Sequence, residues 1–377
     1  MSAGTHDVSF KDRQHRLDEA LQETDLQGVV LNAGPSLTYL TGLHFHLSER
    51  PVVAMFTPGK PPVIVLPELE AGKLADLSYP VEQFTYNEKP ETWAEIFNKA
   101  MRAAELPGKK VGIEPRRLRV LELNFLDSRE LAINYVPGDA CLEQIRIRKD
   151  EVEIEAMQAA ANIAQDALLS TIPLIKPGIT ERELAAELTI QLLRHGSDSQ
   201  LPFSPIIASG PNSANPHAFP GDRRLQEGDM LIIDWGANVV GYFSDLTRTF
   251  SLGEAEDEMM TIAQIVNQAN KAAREKASPG IAAHTVDQAA RQVIEEAGYG
   301  QYFIHRTGHG LGLESHEAPY IRDGNPRSLE PGMTFTIEPG IYLPGRGGVR
   351  IEDDVVITDQ GLHSFSDLPR ELNTLDI

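Results

Sequence analysis

Apolar and polar positions fall into two textures along the chain. Over the first third, short β-rich runs alternate with helical stretches. Gly28–Leu31, Val52–Phe56, Val63–Leu66 and Lys110–Ile113 predict strands, whereas Thr92–Ala104 and Leu118–Ser128 predict helices. Strands alternating with helices imply a small α/β domain. Pro137-Gly138-Asp139 breaks that pattern. Beyond Lys149 the texture becomes α+β. Asp150–Leu169 reads as a long helix rich in Ala, Glu and Gln. Thr180–Glu183 forms a capping box, Leu184, Leu188 and Leu192 follow at four-residue spacing, and Gly196 marks the stop. A third helix is predicted over Asp257–Lys276, and a fourth from the box Thr285–Gln288 to just before Gly298. Strand pairs with polar faces lie between and after these helices. The change of texture places a domain boundary near residues 140–150, dividing the chain into 1–145 and 146–377.

Two strand pairs echo each other. Gly228–Asp234 and Gly332–Glu338 are each a Gly-led strand ending in a carboxylate, with a Gly close behind. Each continues through a turn into a return strand with a second carboxylate, Asp245 in the first and Glu352 in the second. In the first pair, period-two alternation puts Ile232 and Asp234 on one face. A turn around Asn238–Gly241 is expected to set Asp245 across from Asp234, since cross-strand neighbours lie only about 5 Å apart. In the second, Glu338 shares a face with Thr334 and Thr336, while Met333, Phe335 and Ile337 face the other way. Pro344–Gly348 turns the chain, and Arg350, Glu352 and Asp354 then share a face. Adjacent carboxylates repel unless a cation or proton lies between them, and the apolar residues beside Asp234 imply burial.

Composition narrows the options. Of 377 residues, 34 are basic and 55 acidic, a net charge of -21. Nucleic acid and anionic lipid are bound through clustered Lys and Arg, so neither is an expected partner. No run is apolar enough to span a bilayer. The single cysteine, Cys141, excludes an intrachain disulfide. With a polar start lacking a signal-like apolar segment, this leads to the expectation of a cytoplasmic protein. A chain of this length can bury a large core and needs no metal merely to fold, so any metal site calls for a functional explanation.

His305–His316 gathers three histidines among glycines that let backbone approach a ligand closely. No dinucleotide fingerprint and no zincin helix occurs. Asp234, Asp245, Glu338, Glu352 and one of these histidines make a hard, oxygen-rich nest. It carries too much negative charge for one ion, so two divalent cations are expected. Oxygen-dominated ligation favours manganese, with cobalt or zinc as alternatives, and the absence of thiols argues against structural zinc. His44 and His46 supply two ligands, too few for a site of their own.

The motifs Ile233–Gly236, Ser244–Arg248, Thr307–Gly312, Ser315–Pro319, Ile337–Gly340 and Arg350–Asp354 together resemble the pita-bread metallopeptidase family of methionine aminopeptidase, aminopeptidase P and prolidase. The resemblance covers essentially residues 150–377, and the first third looks like a creatinase/prolidase-type N-terminal α/β domain. It implies a pita-bread (creatinase/aminopeptidase-like) C-terminal catalytic domain with Asp234, Asp245, His309, Glu338 and Glu352 as metal ligands. It further implies Glu338 as proton shuttle, His316 as a hydrogen-bond donor to the oxyanion, and His217 as a substrate-side histidine. His305 and Arg350 are implied to line the proline pocket or meet a C-terminal carboxylate; for Arg350, pairing with a neighbouring carboxylate is the plain alternative.

The implied reaction is cleavage between an N-terminal residue and a following proline. The short N-terminal domain favours an Xaa-Pro dipeptidase (prolidase) over an aminopeptidase P acting on longer peptides. His305 and the extra domain count against methionine aminopeptidase. All five ligand positions are intact, which counts against a non-catalytic binding module of the same fold. The resemblance also implies a homodimer.

Overall fold

The structure is a computed structural model and describes residues 9–375. The chain divides into two compact units between Arg146 and Ile147. The first is a six-stranded mixed sheet with helices. Its strand order is Glu82–Tyr86, Val63–Pro67, Val53–Phe56, Val29–Asn32, Lys110–Ile113, Asn134–Pro137. The central strands are buried along their whole length, as their unbroken Val/Ile/Leu runs require. Val30, Val65 and Met101 pack with Phe97 in the core. The four strands and two helices expected here are all present. Sequence patterning missed the outer strands Glu82–Tyr86 and Asn134–Pro137, whose residues other than Tyr86 are exposed or half-exposed and carry little apolar signal.

The second unit repeats one design twice. Helices Glu151–Thr171 and Glu181–Arg194 pack on a four-stranded sheet ordered Asn373–Leu375, Leu246–Leu252, Met230–Trp235, Ile206–Ser209. Helices Asp257–Lys276 and Ala283–Glu296 pack on a five-stranded sheet ordered Glu317–Ile321, Gly308–Gly310, Thr334–Ile337, Asp353–Thr358, Gly361–Ser364. Leu184, Leu188 and Leu192 are fully buried in the first core, and Met333, Phe335 and Ile337 lie in the second. Each large side chain so buried stabilises the fold by about 1.5–3 kcal/mol. The two sheets meet at a bridge between Thr247 and Glu352, whose amide donates to the Thr247 carbonyl at 3.0 Å.

The Thr180 capping box forms as expected, and Gly196 follows the helix in a left-handed conformation. The fourth helix departs from expectation. It begins at Ala283 behind an Ala282 cap rather than at a Thr285 box. Within it the buried Asp287 accepts from the Thr307 amide at 3.0 Å and the Thr307 hydroxyl at 2.8 Å. Among the described residues, no helix is long and apolar enough to cross a membrane.

Candidate metal centre

The first carboxylate hairpin is set by its turn. Val240 and Gly241, both at positive φ (46° and 90°), form a two-residue connection between Asn238–Val239 and Tyr242–Phe243. The resulting register pairs Asp234 with Thr247 and Trp235 with Leu246. Asp245 is therefore a diagonal neighbour of Asp234 on the same face, two positions along, instead of lying directly opposite. The expected turn was centred one residue early, and a shift of turn centre moves every cross-strand partner. The two acids still converge in one cavity.

The second hairpin turns at Pro344–Arg346, with Gly345 left-handed at φ 76°. Thr336 pairs with Asp354, and Gly340 with Arg350. Carried through the break between these ladders, the same register sets Glu338 across from Glu352. The alternation read from sequence holds: Val349 and Ile351 enter the core while Arg350 and Glu352 line the cavity. Asp353 and Asp354 are both buried. Asp354 accepts from the Asp245 amide at 2.7 Å, and Asp353 is gripped by Arg248 at 2.8 Å and Arg370 at 2.7 Å.

His309 arrives on the short strand Gly308–Gly310, wedged between neighbours. A Cβ on Gly308 would lie 1.8 Å from the Thr336 carbonyl oxygen, and one on Gly310 would lie 2.2 Å from that of Ala318. Only glycine admits this approach. His309 Nδ1 lies 3.2 Å from the Gly310 carbonyl, which can only accept, so the proton sits on Nδ1. Nε2 is left as a lone-pair donor 3.8 Å from Asp245 and 3.4 Å from Glu338. That is the tautomer a metal ligand needs.

The electrostatics are those of a cation site. One ligand atom each from Asp245, His309 and Glu352 falls within 4.8 Å of the others, and all three residues are buried. Asp234 Oδ1 and Asp354 Oδ1 are buried with no hydrogen-bond partner among the described residues. Burial, then the charges of Glu352, Asp234, Asp354 and Glu338, pushes Asp245 well above the usual carboxylate range. Glu352 is likewise raised by burial and by Glu338 and Asp234. Burial raises Glu338 to about 7, with Arg350 opposing. Burial holds His309 far below its ordinary value. Buried acids that resist ionisation, beside a neutral imidazole and an orphaned carboxylate oxygen, are the donor set a hard divalent cation completes.

A cavity of about 630 Å³ opens over this cluster and also receives His217, His305, His316 and Arg350. All nine residues singled out in sequence therefore share one site. Arg350 pairs with a neighbouring carboxylate, one of the two roles expected of it. Its Nη2 donates to Asp234 Oδ2 at 2.5 Å, Nε to the Thr247 hydroxyl at 3.1 Å, and Nη1 to the Tyr342 hydroxyl at 3.1 Å. His305 Nδ1 donates to the Arg306 carbonyl at 2.7 Å, so its Nε2 accepts from Tyr342 at 2.8 Å. Burial lowers His305 to about 4, which leaves it an uncharged wall. The His316 ring stands edge-on to His309 at 4.1 Å between centroids and is also held below its usual pKa by burial. Sequence reasoning missed Tyr342, which links His305 to Arg350. It also missed Thr247, whose hydroxyl donates to Glu352 at 2.6 Å. The strand alternation that selected Glu352 is a signal able to find both. His44 and His46 are exposed in the first unit.

The sequence pattern of metallopeptidase family M24 matches residues 155–359, and that of the creatinase/prolidase N-terminal domain matches residues 13–148. A Xaa-Pro dipeptidase of Pyrococcus horikoshii is 35% identical over 96% of this chain and 99% of its own. The crystal structure of recombinant prolidase from Thermococcus sibiricus superposes with a TM-score of 0.92 at 35% identity, covering 98% of this chain and 100% of that one. An X-Pro aminopeptidase from Thermotoga maritima superposes at 0.84 with 29% identity, covering 96% and 99%.

Proposed function

The chain belongs to metallopeptidase family M24, and from that membership we propose a dinuclear Xaa-Pro peptidase, a dipeptidase (prolidase) first, that cleaves between an N-terminal residue and proline. The observation that carries the reading is the convergence of Asp234, Asp245, His309, Glu338 and Glu352 on one cavity. These five side chains would hold two divalent cations, manganese by ligand hardness. Such cations supply Lewis acidity at the scissile carbonyl and lower the pKa of water to near neutrality.

The protein's own groups do the rest. Glu338, buried in the cluster, can take a proton from the attacking water and return it to the departing proline nitrogen. His316, neutral at pH 7, donates a hydrogen bond to the developing oxyanion. His217 lines the same cavity, and the resemblance assigns it to the substrate side. The uncharged His305 ring offers a flat wall to the proline ring, and the Arg350 guanidinium supplies the positive charge that a dipeptide's C-terminal carboxylate seeks. A homodimer is the assembly that the family resemblance implies.

The test is hydrolysis of Gly-Pro against Gly-Pro-Pro after manganese loading. Cleavage confined to the dipeptide is expected. Comparable tripeptide turnover would move the assignment to aminopeptidase P, a reading that the likeness to the Thermotoga maritima structure keeps in play. Hydrolysis of neither would sink the proposal.

A further inference from the structure

Residues Gly210–Pro220 leave the Ile206–Ser209 strand, carry His217 into the cavity and return at Gly221. One buried carboxylate, Glu181 in the first turn of the Glu181–Arg194 helix, binds both ends of that excursion. Its Oε1 accepts from the Ser209 amide and hydroxyl, each at 2.8 Å, and from Asn212 Nδ2 at 3.0 Å. Its Oε2 accepts from the Gly221 amide at 3.1 Å and from Asn212 Nδ2 at 3.1 Å. The loop so closed is an Ω-loop. Its inner side rests on the second carboxylate hairpin. The Gly348 amide donates to the Ser213 hydroxyl at 2.8 Å, and Arg350 Nη1 to the Pro216 carbonyl at 3.4 Å. His217 itself is exposed, with its amide donating to Asn215 Oδ1 at 3.1 Å. Packing therefore does not hold His217 in place, and the closed backbone of the loop must.

We propose that Glu181 is a positioning residue: it clasps the neck of the His217 loop and fixes where that imidazole stands over the substrate. The kinetic part of this proposal rests on the peptidase reading above; the structural part does not. A buried carboxylate with several donors is the strong form of such a tie, because charge-assisted bonds are about twice as strong as neutral ones. Misplacement of a substrate-positioning group by about 1 Å can cost on the order of 100-fold.

The test is Glu181→Ala in the manganese-loaded full chain, with and without His217→Ala, assayed on Gly-Pro and followed by amide hydrogen exchange. We expect kcat/KM to fall about 10- to 100-fold in the wild-type background. In the His217→Ala background it should change by less than about twofold, because the two residues act as one unit. Amides of residues 210–221 should exchange faster, while those of the Met230–Trp235 strand keep their protection. Full additivity of the two substitutions, or unchanged exchange in the loop, would overturn the clasp. Should Glu181→Ala fail to fold, Asn212→Ala removes one donor from the clasp and should give a weaker form of the same pattern; its absence would equally overturn the idea. If the wild type cleaves no Xaa-Pro peptide, the function falls, and loop exchange alone decides the role of Glu181.

Discussion

Glu338 combines two demands on a carboxylate, since it must offer a lone pair to a cation and carry a proton during turnover. Burial lifts it to about 7, while the Thr336 hydroxyl, 3.4 Å away, helps orient it. Glu338→Gln keeps shape and volume but removes both the charge and the proton site. We expect kcat to fall about 10²–10⁴-fold with little change in fold. Circular dichroism and metal content by mass spectrometry would check that the loss lies in chemistry rather than in folding. His316→Ala should cost less than complete loss, about 10²–10³-fold in kcat, as one oxyanion donor is removed. A rise in KM with kcat unchanged would assign His316 to substrate binding instead. At this scale the acids were legible in the sequence because a carboxylate beside a run of buried apolar residues is anomalous. Thr247 and Tyr342 share the carboxylate face by alternation, but a hydroxyl there stands out less than an acid, and Asp287 on a helix breaks no pattern until its partner is known.

Strands and turns decide whether those side chains meet. The repeated hairpin was visible in sequence as a Gly-led strand with a terminal carboxylate, and its face alternation survives in the structure residue by residue. The register was not visible, because it depends on which two residues occupy the turn. Val240, a β-branched residue, sits at positive φ there, against its usual preference, and moves the turn centre by one position. The edge strands of the first unit escaped for a related reason: half-exposed residues give alternation too weak to separate from loop. Gly310 makes the element-level argument testable. Its missing side chain lets the His309 strand lie against Ala318, and a methyl group has nowhere to go. Gly310→Ala should displace His309 and weaken metal binding more than it lowers thermal stability. Titration calorimetry with manganese, set beside the melting temperature of the metal-free protein, would show the difference. Unchanged manganese affinity would mean that the strand relaxes without moving the imidazole.

Across the whole molecule, the cluster should impose a pH dependence that metal reverses. Glu338 titrates at about 7 in the folded chain, and Asp245 and Glu352 are raised well above their ordinary values, chiefly by burial. Unfolded, all three titrate near 4. The folded metal-free protein therefore holds protons that the unfolded chain releases, and stability from these groups is present below pH 4 and lost as pH rises through 7. The neighbouring histidines act oppositely. His305, lowered to about 4, and His309, also lowered by burial, make stability rise with pH up to about 6.5, where the unfolded imidazoles lose their protons. Below pH 6.5 the two effects offset each other, whereas above it only the acids remain. The melting temperature of the metal-free protein should thus fall between pH 6.5 and 8. Divalent cation replaces the missing protons and binds the ionised acids best, so with saturating manganese the temperature should hold or rise over the same interval. Scanning calorimetry at several pH values, with and without chelator, measures both slopes. Parallel slopes with and without metal would mean that the buried acids are not where the cation binds.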